Sequence, residues 1–267
     1  MQANQEQQVM TAAVRMLDLN VANGIATLTL DRPPVNAISE AWIAQFNTVL
    51  DDLAGRSDWT VLHIRSEQKV FCAGADLSEI RERIFAAGGP DKMYAYVAGI
   101  QRLYARIEHL SQVTIAEIGG AAMGGGLELA LSCDLRIAAV EAKLGLPEAR
   151  LGLIPGAGGT QRLTRLCGRP VAQRLILGAE LVDGTTACDL GIVQWAFPRS
   201  ELPREAAALA RRVAELPAAA LAASKSCIAA AADETGRGGY TLEVEATREL
   251  LTNAETVRRV QAFFERT

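Results

Sequence analysis

The chain has 267 residues, 49% of them hydrophobic, and a formal net charge of −4. That length can bury one large core, no apolar run reaches the roughly 18 residues of a membrane-spanning helix, and the acidic balance argues against a whole-surface affinity for nucleic acid or anionic membrane. Cys72, Cys133, Cys167, Cys188 and Cys227 are odd in number, scattered, without C-x-x-C spacing and joined by only two histidines, so neither a disulfide framework nor a zinc site is indicated.

Residues 1–13 hold glutamines and one acid but no Lys or Arg; they lack the basic start of a secretory signal and read as a disordered lead-in to a soluble, cytoplasmic protein. Two alternating runs, 16–21 and 25–30, flank Ala22-Asn23-Gly24, and Asn-Gly between such runs predicts a hairpin. After the turn-forming Arg32-Pro33-Pro34, residues 39–54 space Trp42, Ile43, Phe46, Val49, Leu50 and Leu53 as a helix does, with Ser39 as its N-cap. A strand over 60–64, a helix around 92–109, a strand over 113–118, a short helix over 126–132 and a strand over 135–138 follow, which is α/β organisation. From Glu201 onward apolar residues recur at helical spacing, and the alanine-rich 217–232 has no strand-like run. The last quarter is predicted to be helical, packed on its own core or over a neighbouring copy. The organisation is thus a lead-in over 1–13, a core over 14–200 in which any site is expected, and a helical region over 201–267.

Gly119-Gly120-Ala121-Ala122-Met123-Gly124-Gly125-Gly126-Leu127-Glu128 leaves a strand and enters a helix. Three consecutive glycines at a helix start bare their amide N–H groups, which together with the helix dipole suit negative charge, including charge that develops only in a transition state. The same stretch also fits a tight turn with no ligand. Phe71-Cys72-Ala73-Gly74-Ala75-Asp76-Leu77 is a second loop of small residues directly after a strand, and an oxyanion hole commonly draws its two N–H groups from different segments. Glu128 falls about one turn after Gly125, where its carboxylate could move protons or simply favour the helix N-terminus.

Downstream, 144–160 is too rich in glycine and proline for an ordinary helix and too apolar for an exposed loop, so it is expected to line a pocket wall. Glu148, just after Pro147, is its acid; a salt bridge to Arg150 or Arg162 is the alternative. The segment 83–96, with its Gly88-Gly89-Pro90 break, is a further candidate pocket wall. Gly156-Ala157-Gly158-Gly159-Thr160 lacks the G-K-[ST] ending of a phosphate loop, and Ser132 and Ser224 have no nucleophile-elbow context. His63, in a strand, and His109, at a helix end, are expected to be structural.

The succession Asp31-Arg32-Pro33-Pro34-Val35-Asn36-Ala37, then 71–77, then Gly124-Gly125-Gly126-Leu127-Glu128-Leu129-Ala130 with Cys133-Asp134, then Leu146-Pro147-Glu148 through Gly159-Thr160-Gln161-Arg162-Leu163 resembles the enoyl-CoA hydratase/isomerase (crotonase) family over roughly residues 15–265. The resemblance implies a spiral of ββα units, a helical C-terminal region used for trimers that often pair into hexamers, and reversible syn hydration of trans-2-enoyl-CoA in fatty-acid or related acyl-CoA degradation. It implies that the amides of Ala75 and Gly125 bind the thioester oxygen, that Glu128 orients and deprotonates water, and that Glu148 delivers a proton to C2. Asn36, Ala37, Ala73, Asp76, Leu77 and Gly124 would contact the acyl-CoA thioester. No metal or further cofactor is implied, coenzyme A being part of the substrate.

Members that only shift a double bond commonly lack the first acid, so having both favours hydration; an isomerase or a dehydratase of a specialised acyl-CoA is the alternative. Some relatives bind RNA through a lysine-rich helix, but 101–109 holds only Arg102 and Arg106. The chain departs from the family pattern at Glu117, where a small apolar residue is usual. It departs again at Asn253-Ala254-Glu255-Thr256, in place of Asp-x-x-Glu-Gly, and in its short end at Arg266-Thr267.

Overall fold

The computed structural model describes residues 15–231 and 237–265; the lead-in expected over 1–13 lies outside the described residues, as do Arg266 and Thr267. Strands β1 (Leu17–Ala22) and β2 (Gly24–Leu30) pair antiparallel. Asn23 and Gly24 both take positive φ, 52° and 77°, the twist that lets a tight hairpin match its strands. In α1 (Glu40–Ala54) the Ser39 side chain accepts from Trp42 N, and one face buries Trp42, Phe46, Leu50 and Leu53. β3 (Trp59–Ser66) then lies parallel to β2.

Two helices follow, α2 (Leu77–Phe85) and α3 (Gly89–Glu108). No helix is expected over 77–85 from the sequence, because α2 buries none of its residues fully and so shows no deep apolar stripe. Asp76 starts it by accepting from Ser78 N and Glu79 N. α3 begins earlier than the apolar spacing suggests because Pro90 sits in its first turn, where no N–H is needed.

The chain then runs through β4 (Val113–Ile118), β5 (Ala122–Met123), α4 (Gly125–Leu131), β6 (Leu135–Ala139), β7 (Lys143–Gly145), a 3-10 turn (Glu148–Leu151) and α5 (Gly159–Ile176). α5, also unforeseen, is interrupted at Gly168 and Pro170, which hide its helical period. β8 (Val182–Asp183), α6 (Gly184–Asp189), β9 (Trp195–Phe197), α7 (Leu202–Ala214), α8 (Ala218–Ala230), α9 (Arg237–Thr252) and α10 (Ala254–Glu265) complete it, and the described residues of the last quarter are helical as expected.

A six-stranded sheet in the order β1-β2-β3-β4-β6-β9 is parallel from β2 onward. A second sheet, β5-β7-β8, is extended by single bridges pairing Cys72 with Ala122 and Ile38 with Ala75. Each turn of the chain gives a long strand to the first sheet, a short strand or bridge to the second, and then a helix. This is the expected spiral of ββα units, and it stacks the loop after each short strand beside the next.

The departure at Glu117 has a structural counterpart in the neighbouring strand. His63 Nε2 of β3 stands 2.8 Å from Glu117 Oε2 of β4, both side chains being buried, so each polar group is placed where the other can answer it. His109 caps α3, its ring nitrogen Nδ1 2.7 Å from Ala105 O. α8 has no fully buried residue and is tethered by Lys225 Nζ, which donates to Asp134 Oδ2 at 2.8 Å and to Gln112 O at 3.1 Å.

Candidate active site

The two small-residue loops meet. Phe71 N and Cys72 N donate to Ala121 O at 2.9 and 3.1 Å, and Met123 N donates to Cys72 O at 3.0 Å. The contact is closest at Gly126, where a methyl group would stand 2.1 Å from the Cys72 carbonyl oxygen, so no larger residue fits without moving backbone. This brings Gly74-Ala75 beside Gly124-Gly125. A methyl group on Gly125 would lie 3.7 Å from Ala75 N, and one on Gly74 would lie 3.2 Å from Gly125 N.

Both amides are aimed by the carbonyl of their own peptide. In a trans peptide the N–H and C=O point to opposite edges of one plane. Gly74 O accepts from Ile38 N at 2.8 Å, which turns the Ala75 N–H away from the Ile38 segment. Gly124 O accepts from Glu128 N at 3.0 Å, the first bond of α4, which turns the Gly125 N–H out of the helix start. Neither N–H donates to an acceptor among the described residues, and both residues line one pocket. Two donors converging there can hold an oxygen atom that gains negative charge.

Two carboxyls reach the same place. Glu128 is 2% exposed, and its Oε1 accepts from Gly159 N, at the start of α5, at 2.7 Å. Burial pushes its pKa up to about 7; the Gly159 bond works against this, and the charge of Glu148 works with it. Glu148 opens the 3-10 turn after Pro147. Its Oε2 is buried with no hydrogen-bond partner among the described residues, and burial raises its pKa. The salt bridges considered for it do not form: Arg150 donates to Ala179 O at 2.7 Å, while Arg162 bonds Glu108 at 2.7 Å and Ala157 O at 2.9 Å. Glu148 Oε1 presses on the glycine turn instead, 2.8 Å from where a methyl on Gly124 would stand.

The pocket offers about 160 Å³ of free space. Of the residues expected at the site, Ala73, Ala75, Leu77, Gly124, Gly125, Glu128 and Glu148 line it together, and Leu151, Leu153 and Ile154 confirm 144–160 as a wall. Asn36, Ala37 and Asp76 are not among the lining residues and stand in a hydrogen-bond network beside it. Asn36 is fully buried, donating to Ser66 Oγ and Phe71 O and accepting from Arg32 N. Ala37 O accepts from Arg32 Nη1, and Asp76 pairs with Arg32 Nη2 at 2.7 Å while capping α2. Of 83–96 only Met93 and Tyr96 reach the pocket, joined by Ile80 of α2 and by Val97 and Ile100 of α3, whose helical spacing with Met93 and Tyr96 is the sequence signal for this wall. Among the described residues no group of three His, Cys, Asp or Glu is placed to hold a metal ion.

The raised pKa of Glu128 makes a stability prediction. A carboxyl that folding lifts from 4.5 to about 7 binds its proton more tightly when folded. It therefore stabilises the fold below its unfolded pKa and loses that contribution as pH rises through the folded one. Glu128→Gln can keep the Gly159 bond without carrying charge. Its melting temperature should exceed that of the parent at about pH 8, and the gap should close as pH falls toward about 4.5. A gap independent of pH would contradict the burial effect.

Comparison with known proteins identifies the family of the chain. The family model for enoyl-CoA hydratase/isomerase matches residues 20–267. The chain is 37% identical over 251 residues to a probable enoyl-CoA hydratase of Bacillus subtilis (strain 168), covering 94% of this chain and 96% of that protein. It is 32% identical over 243 residues to the 2,3-dehydroadipyl-CoA hydratase of Escherichia coli (strain K12), covering 91% and 92%. The crystal structure of an enoyl-CoA hydratase from Geobacillus kaustophilus HTA426 superposes with a TM-score of 0.89 at 31% identity, over 94% of each chain. Matched along most of its length in sequence and in fold, the chain belongs to the enoyl-CoA hydratase/isomerase, or crotonase, family.

Proposed function

We propose that the protein adds water reversibly and syn across trans-2-enoyl-CoA thioesters, giving 3-hydroxyacyl-CoA. The observation that carries this reading is the meeting of two unengaged backbone N–H groups, the buried Glu128 carboxyl and the half-buried Glu148 carboxyl on one apolar pocket. The thioester oxygen accepts from the N–H groups of Ala75 and Gly125, which draws electron density from C3 and holds the enolate charge as it forms. The Glu128 carboxylate orients water and takes its proton while the oxygen bonds to C3. Glu148, in its protonated form, gives a proton to C2. Burial opposes ionisation of both carboxyls, and the charge of Glu148 opposes it further at Glu128. Both line the same pocket, and syn addition requires that they act on one face of the double bond. Moving a double bond needs only one proton-transferring carboxyl, so the pair favours hydration. Coenzyme A arrives as part of the substrate.

The same reading makes the protein a trimer or a dimer of trimers. α8 has no fully buried residue, and Ile228, Tyr240, Val244 and Val260 stand exposed along the C-terminal helices, apolar surface that a neighbouring copy would cover.

Glu128→Gln and Glu148→Gln should each lose about a hundredfold or more in kcat on crotonyl-CoA while remaining folded. Near-parental hydration by either would contradict the assignment, and a parent that shifts the double bond of 3-enoyl-CoA but adds no water would make it an isomerase. Light scattering should give a mass that is a multiple of three subunits; a stable monomer at micromolar concentration would argue against the assembly.

A further inference from the structure

α3 carries two buried phenols, and each ends on a carbonyl of one donor segment. Tyr96 Oη donates to Ile38 O at 2.5 Å, and Tyr104 Oη donates to Gly125 O at 2.7 Å. Ile38 is the residue whose N–H holds the Gly74 carbonyl and so aims the Ala75 amide; Gly125 bears the other amide. The phenols are eight residues apart on one helix, a rise of about 12 Å, so a single rigid rod touches both halves of the donor pair. Ile38 O already accepts from Asp76 N at 2.9 Å, so the Tyr96 bond is not needed merely to satisfy a buried carbonyl.

The rings cannot drift. Tyr104 is fully buried and Tyr96 is 3% exposed. The Arg83 guanidinium lies 4.2 Å over the Tyr96 ring and is itself held by Glu40 and Glu79. Burial raises the pKa of both phenols, so each remains a donor throughout the working range of the enzyme.

We propose that Tyr96 and Tyr104 are positioning residues, and that α3 sets the spacing and aim of the Ala75 and Gly125 amides by holding each donor segment through one phenol. The proposal rests on the hydration reading of the site. A misaimed donor differs from a missing one: the substrate still binds through its coenzyme A part and apolar chain, but the developing charge is held less well. The loss therefore falls on kcat.

Tyr96→Phe and Tyr104→Phe keep the rings and remove only the hydroxyls. Each should lose about tenfold in kcat on crotonyl-CoA with KM within about twofold of the parent, less than the hundred- to thousandfold loss of a whole donor. The red shift in absorbance of a bound 2,4-dienoyl-CoA, which reports polarisation of the thioester carbonyl, should shrink in both. Folded variants with parental kcat and parental red shift would overturn the proposal, and so would a fall in kcat with the red shift unchanged. If Tyr104→Phe does not fold, Tyr96→Phe, whose ring lies on the pocket wall, decides by the same criteria. Failure of the parent itself to hydrate any trans-2-enoyl-CoA would instead defeat the hydration reading, while the red shift of the bound dienoyl thioester would still test the phenols.

Discussion

Because a trans peptide carries its N–H and C=O on opposite edges, a hydrogen bond accepted by the carbonyl also aims the amide. Here the carbonyls of the 74–75 and 124–125 peptides are both committed, one to Ile38 N and one to Glu128 N, and their amides are left facing the pocket. The donors are therefore placed by ordinary secondary structure: a one-residue bridge in one case, the first bond of a helix in the other. Nothing has to reorganise when charge appears on an oxygen between them, which is the condition under which such donors lower a barrier.

The rest of the site follows from how closely the backbones approach. Gly126 permits the contact with Cys72, and Gly124, with φ +53° and ψ −125°, takes a backbone path that bulkier residues avoid and leaves room for the Glu148 carboxyl. The closeness that aligns the amides also dries the two carboxyls. Glu128 accepts from Gly159 N and Glu148 leaves one oxygen unpartnered, and burial raises both pKa values, that of Glu128 to about 7, where a carboxyl both gives and takes protons. Asn36, Ala37, Asp76 and Arg32 form a bracing network behind the wall and keep the 71–77 loop in place.

Local signals in the sequence located the elements that local forces determine. Asn23-Gly24 marked the hairpin, Ser39 the start of α1, and the run 113–118 a strand buried along its whole length. α2 and α5 escaped because one buries too little to show a period and the other is broken by Gly168 and Pro170. At the site, the glycine loops and both glutamates were legible because glycine and carboxylate chemistry is written in residue type. What could not be read was who braces whom. Ile38 with Gly74 and Tyr104 with Gly125 are pairs 36 and 21 residues apart, joined only by the spiral. Asn36 and Asp76 carry polar groups near the site, and only the structure shows those groups already spent on Arg32, Ser66, Phe71 and the start of α2.

The central claim is that the amide at position 125 itself holds charge in the transition state. The Cβ of either Gly125→Ala or Gly125→Pro meets the movable end of the Ile38 side chain, but only the second removes the N–H. Measured as kcat/KM on crotonyl-CoA, Gly125→Pro should fall below Gly125→Ala by about 2.7–4 kcal/mol in transition-state stabilisation, the scale of one oxyanion donor. Coenzyme A binding and circular dichroism should match between the two. Equal kcat/KM in two folded variants would mean that the amide carries no such charge, and the account of the site would be wrong.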